Sequence, residues 1–124
     1  MKETIRQQNL AHEFYTSERC HITELSNSAD DPELSIARAR VEPGVTTCWH
    51  LLKTSTERYC IVSGTGIVEI GELSPQQVNA GDVVTIPAMR RQRITNIGED
   101  DLIFLALCTP RFVVEDYQDL EVPM

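Results

Sequence analysis

The sequence predicts an all-β domain, a sandwich or barrel of short antiparallel strands with little helix. Short runs in which apolar and polar residues alternate recur along the chain. Gly, Pro, Asp and Asn turn signals interrupt them roughly every 8–12 residues, the rhythm of an all-β layered fold. The chain has 124 residues, 41% of them hydrophobic, enough for a single core and the size of one domain. No internal repeat, linker or low-complexity segment divides it.

The N-terminal stretch leaves alternatives open. Ile5 to Tyr15 suits either a short helix or an irregular arm, whereas His21 to Leu25 alternates as a strand does. Asn27 to Pro32 has the composition of a loop. From Ser35 to Val41, Ala37, Ala39 and Val41 alternate with Arg38 and Arg40, the pattern of a half-buried strand closed by Pro43-Gly44. Val45 to Leu51 and Arg58 to Val62 read as the next strands. Gly64-Thr65-Gly66 then turns the chain into Ile67 to Ile70, a hairpin signal. Gln76 to Val78, Val83 to Ile86, Gln92 to Asn96 and Leu102 to Cys108 complete the series. The expected organisation is an N-terminal arm with one strand over residues 1–33, a barrel over 34–112, and an acidic tail over 113–124 that packs outside the barrel.

Charge narrows the function classes. Eleven Lys and Arg against nineteen Asp and Glu leave a net charge of −8, which repels phosphate backbones and argues against nucleic acid as a partner. No apolar run approaches a membrane span, and the start Met1-Lys2-Glu3-Thr4-Ile5-Arg6 is too polar for a signal peptide, so a cytoplasmic protein with no membrane partner is expected. The four cysteines, Cys20, Cys48, Cys60 and Cys108, form no C-x-x-C pair. They are expected to be free thiols packed as small hydrophobes rather than a zinc site.

Two stretches carry a more specific signal. Gly44 is followed after five residues by His50, then by Leu52, and after four more by Glu57; six further residues lead to Gly64. In the second stretch, Gly81 is followed after five residues by Pro87, then by Met89, Gln92 and Asn96. Together they resemble the paired motifs of the cupins. Gly44, His50, Glu57, Gly64, Gly81, Pro87 and Asn96 keep the family's residues and spacing. Leu52 and Gln92 stand where the family has histidines, and Met89 where it has glycine. The resemblance covers residues 34–112 and implies an antiparallel β-barrel of the jelly-roll type.

The resemblance also implies a site. In the family, the inward faces of these strands bind one divalent transition metal, which here would fall to His50, Glu57 and Gln92. Leu52 cannot coordinate, and Gln92 offers only a neutral carbonyl oxygen. Losing two histidine ligands costs on the order of 10²–10⁴ in affinity, or about 3–5.5 kcal/mol. The metal-free alternative is a His50 ring oriented by Glu57, a usable acid–base pair. Alternation along the strand puts Cys48, His50 and Leu52 on one face, and inward thiols of Cys48 and Cys108 would offer softer ligands. Thr47, Cys48, Tyr59, Phe104 and Cys108 are the candidate ligand contacts, with Ala37 and Ala39 leaving volume. Trp49 should face away from His50. Arg90, Arg91 and Arg93 form either a solvated face or an anion-capturing rim at the barrel mouth. Asn96 reads as a turn-stabilising side chain.

The expected function is therefore a barrel that binds a small polar organic molecule. Either it acts on that molecule through His50 and Glu57, as an isomerase, lyase or oxygenase, or it holds the molecule as a sensor or accessory protein without turnover. Small cupins commonly pair, so the resemblance implies a homodimer.

Overall fold

The computed structural model describes residues 1–121. Eleven strands follow in order: β1 Phe14–Tyr15, β2 His21–Ser26, β3 Ser35–Val41, β4 His50–Leu52, β5 Thr56–Ser63, β6 Thr65–Ile70, β7 Gln76–Asn79, β8 Val83–Ile86, β9 Gln92–Asn96, β10 Leu102–Thr109 and β11 Tyr117–Asp119. Only two single 3-10 turns, Leu10–His12 and Val114–Asp116, interrupt the β-structure of the described residues. The strands build a six-stranded sheet, β1-β2-β3-β10-β5-β8, and a five-stranded sheet, β11-β4-β9-β6-β7, with antiparallel pairing throughout. This is the double-sheet jelly roll. No described helix is long and apolar enough to cross a membrane.

Both ends of the chain are built into the sheets. β2, inside the segment read as an arm, pairs with β3 over His21↔Arg40 to Ser26↔Ile36. β11, inside the segment read as an external tail, pairs with β4. Residues 122–124 of that tail lie outside the described residues.

One expected strand is broken. The run Val45 to Leu51 forms regular β-structure only from His50, and before it Thr46 makes an isolated bridge to Thr95. The backbone between is held individually, Thr47 N–H donating to the Ile94 carbonyl and Cys48 N–H to that of Glu18. The Gly64 turn is where glycine is required. Its φ is +93°, and a Cβ there would lie 2.9 Å from both the Asp101 carbonyl oxygen and the Leu102 Cα.

Three neighbouring strands divide the interior into two ends. On β3, Val41 points into packed core while Ser35, Ala37 and Ala39 line a cavity; on β10, Leu102 packs while Phe104, Ala106 and Cys108 line it. β5 repeats the scheme, with Ile61 in the core and Glu57 and Tyr59 at the cavity. The register makes this continuous. Leu102 lies opposite Val41, Ala106 opposite Ala37 and Tyr59, and Cys108 opposite Ser35 and Glu57. Branched side chains from Ile86, Ile94, Val68 and Val78 fill the closed end. Small residues at the other end cannot fill the space between the sheets, so a cavity remains.

Candidate functional site

The cavity holds about 370 Å³ and is walled mostly by apolar atoms. Ala37, Ala39 and Ala106 make its small-residue floor, and Tyr59 and Phe104 pack against each other beside it with centroids 4.4 Å apart. Phe14, Glu24 and Val114 line it and are nevertheless exposed, which places the opening among them.

His50 is buried on β4. Its Nδ1 lies 2.8 Å from the Cys48 carbonyl oxygen, and only a protonated nitrogen can make that bond. The contact fixes the ring so that Nε2 is left without a protein partner among the described residues. The ring stacks on Tyr117, with centroids 5.0 Å apart and planes 19° from parallel. The nearest carboxylate to Nδ1 is Glu18, at 3.7 Å, rather than the expected Glu57. Glu18 hangs from the β1–β2 connection and has about a fifth of its side chain exposed. Burial pushes its carboxyl up, opposed by the charge of His50 and by the Tyr117 hydroxyl, and reinforced by Asp119.

Glu57 faces the same cavity from β5. Its Oε1 is buried and has no hydrogen-bond partner among the described residues. Burial pushes its pKa up to about 7; Glu18 adds to the rise, while His50 and the Gln92 amide oppose it. The carboxyl is therefore close to evenly divided between its acid and base forms near neutrality.

The other candidates divide. Thr47, Tyr59, Phe104 and Cys108 all line the cavity. Two of their hydroxyls are already engaged, however. Thr47 Oγ1 accepts from Ile94 N–H at 3.0 Å, and the Tyr59 hydroxyl donates to Gln92 Oε1. Burial pushes the Cys20 and Cys108 thiols far up, which keeps them as small wall groups. Cys48 does not line the cavity. Its Sγ lies 3.5 Å from the Ser17 carbonyl oxygen, under the N-terminal segment. Alternation holds only within a continuous strand, and the break before His50 resets the phase, so Thr47 takes the inward place.

The basic run is not a rim of the site. The guanidinium groups of Arg91 and Arg93 lie 4.6 and 4.2 Å from the centroid of the Trp49 ring. Arg93 also makes two bonds to Glu69, and Arg91 Nε donates to the Gly71 carbonyl. These residues are absent from the cavity wall, and Trp49 faces away from His50 as expected. Asn96 holds its turn, donating to the Val41 and Asp100 carbonyls and accepting from Gly98 N–H.

The pattern of the Cupin domain family matches residues 37–108, more than half the chain. The chain is a cupin. Over 87 residues it is 34% identical to the uncharacterized protein MJ1618 of Methanocaldococcus jannaschii, covering 70% of this cupin and 69% of that protein. Among solved structures it is similar to Streptomyces Pac13, a nucleoside dehydratase solved with uridine. That match has 18% identity and a TM-score of 0.76, over 95% of this chain and 92% of the other. KdgF from Halomonas is similar at 17% identity and a TM-score of 0.71, over 81% and 88%.

The donor set of this cupin does not fit the transition metal that the motif resemblance implies. Leu52 fills one ligand position with hydrocarbon. At another, Gln92 Oε1 already accepts from Tyr59. Among the described residues, no group of three or more His, Cys, Asp or Glu side chains converges in a ligating arrangement. His50 and three carboxylates, Glu18, Glu24 and Glu57, are instead spread around the wall of an apolar hollow.

Glu18, Glu24 and Tyr117 are among the site residues that sequence reasoning missed. None lies in a motif, and each reaches the cavity because a chain end joins a sheet.

Proposed function

We propose that this cupin binds a small polar organic molecule in its cavity and acts on it by proton transfer, as an isomerase or lyase. One observation carries the reading. The Cys48 carbonyl pins His50 Nδ1–H and leaves Nε2 unpartnered, and the same apolar cavity holds the unpartnered Oε1 of Glu57. Neutral imidazole is a base, and a carboxyl with a pKa of about 7 is an effective acid at neutral pH.

In the lyase form, Nε2 removes a proton from carbon and the electron pair of that C–H bond becomes the new double bond. Glu57 protonates the departing hydroxyl, which leaves as water. His50 ends as imidazolium and Glu57 as carboxylate, and one proton passing between them through solvent restores both. In the isomerase form the proton returns to a different carbon. The likeness to a nucleoside dehydratase makes uridine a sensible first probe, beside other hydroxylated aldehydes, ketones and nucleosides.

The test incubates such a panel with the protein in D2O and follows each compound by mass spectrometry. Deuterium uptake or loss of water is expected for at least one compound. Glu57→Gln and His50→Gln should each slow it by about 10²–10⁴. A compound that occupies the cavity with neither exchange nor conversion, while others of the panel behave likewise, would refute the acid–base reading and leave a binding protein.

A further inference from the structure

The charge balance of the cavity wall is one-sided. Among the described residues, Glu18, Glu24 and Glu57 line it, together with His50, and no lysine or arginine does. The arginines next in sequence to cavity residues are committed elsewhere: Arg19 to the Thr46 carbonyl and Glu121, Arg38 and Arg40 to Glu13, Arg58 to the Thr109 hydroxyl, and Arg111 to Asn27. The Oε1 of Glu57 is a buried acceptor that none of the described residues satisfies. Aromatic side chains of Phe14, Tyr59, Phe104, Phe112 and Tyr117 line the same hollow.

We infer that the cavity selects its ligand by charge, taking a small organic molecule that carries a cationic amino group and turning away carboxylates and phosphates. The inference rests on the cavity being a ligand site, as proposed above, and adds the class of ligand. When Glu57 is ionised, an ammonium group supplies the donors and the positive charge that its carboxylate lacks, in an interior where an unpaired charge is costly. Ring faces accept the same cation favourably. An anion would meet three carboxylates with only the His50 ring to offset them, and the net charge of −8 opposes its approach from solution as well.

A matched set of probes tests this: 2-phenylethylamine, 2-phenylethanol and phenylacetate, which share a frame small enough for the cavity and differ in charge. Each is titrated at pH 8 into the 15N-labelled protein, and the amide shifts give both the affinity and the place of binding. The amine is expected to bind about ten-fold or more tightly than the alcohol, with shifts at residues 35–39, 57–59 and 104–108, and phenylacetate is expected not to saturate. In Glu57→Gln the amine's advantage should fall towards parity while the alcohol binds as before. Glu24→Gln, at the exposed mouth, should reduce the advantage more weakly and serves if the buried substitution does not fold. Equal binding of amine and alcohol, or preferred binding of phenylacetate, would overturn charge selection while leaving the cavity a ligand site. If none of the three shifts cavity amides, the ligand site itself fails and the inference with it.

Discussion

Replacing Glu57 with glutamine should stabilise this protein at pH 8 and do so far less at pH 5. The carboxyl is shifted from its usual 4.5 to about 7 by burial. Between those values the folded chain holds a proton that the unfolded chain has released, so folding becomes less favourable as pH rises through that window. The contribution is fully present below about pH 4.5 and is lost by about pH 7. At about 1.4 kcal/mol per pH unit, the rise makes the carboxyl cost the native state about 3 kcal/mol at pH 8. Glutamine has the same shape and no charge, so Glu57→Gln removes that dependence. Urea unfolding of both proteins at pH 5, 6, 7 and 8 isolates the effect, because titrating groups outside the cavity cancel in the difference between them. The difference should grow from about 1 kcal/mol at pH 5 to about 3 kcal/mol at pH 8 in favour of the variant. A variant less stable than the parent at pH 8 would refute the reasoning, since it would mean that the ionised carboxylate is satisfied in the native protein.

Asp116 should behave in the opposite sense. Burial raises its pKa, but hydrogen bonds from the Thr54 hydroxyl and the Thr54 and Ser55 backbone N–H groups outweigh burial and hold it below 3.8. Its stabilisation is present above pH 3.8 and disappears as pH falls through the lowered value, and Asp116→Ala should cost about 2–3 kcal/mol by chemical denaturation at pH 7. Tyr59→Phe strips the donor from the buried Gln92 carbonyl and should cost about 1–3 kcal/mol in the same assay; an unchanged midpoint would show that the bond contributes nothing. Met89 sits at φ +66° with its side chain 56% exposed, where the cupin motif has glycine. Met89→Gly should relieve strain at little packing cost and raise stability by about 0.5–1 kcal/mol, read as a higher Tm.

Local pattern settled the fold class because strands declare themselves locally. The alternation of Ser35–Val41, the Val83–Ile86 run between Gly81 and Pro87, and the Gln92–Asn96 strand all appear in the structure over the residues expected. The motif glycines and Pro87 fix turns whose geometry depends on residue type alone. His50 and Glu57 were legible for the same reason, each holding a set spacing from such a turn and facing inward. The failures have one cause. Cys48 was misplaced because the break before His50 comes from hydrogen bonds to Ile94 and Glu18, residues far away in the chain. Glu18 and Tyr117 reach His50 only because β2 closes on β3 and β11 on β4, and such pairings leave no local periodicity. The sequence by itself determined most of the strands, their turns and the inward placement of His50 and Glu57. Tertiary structure alone decided which carboxylate neighbours the histidine, where the arginines go and how much space is left between the sheets, because those depend on register between segments that the chain brings together only on folding.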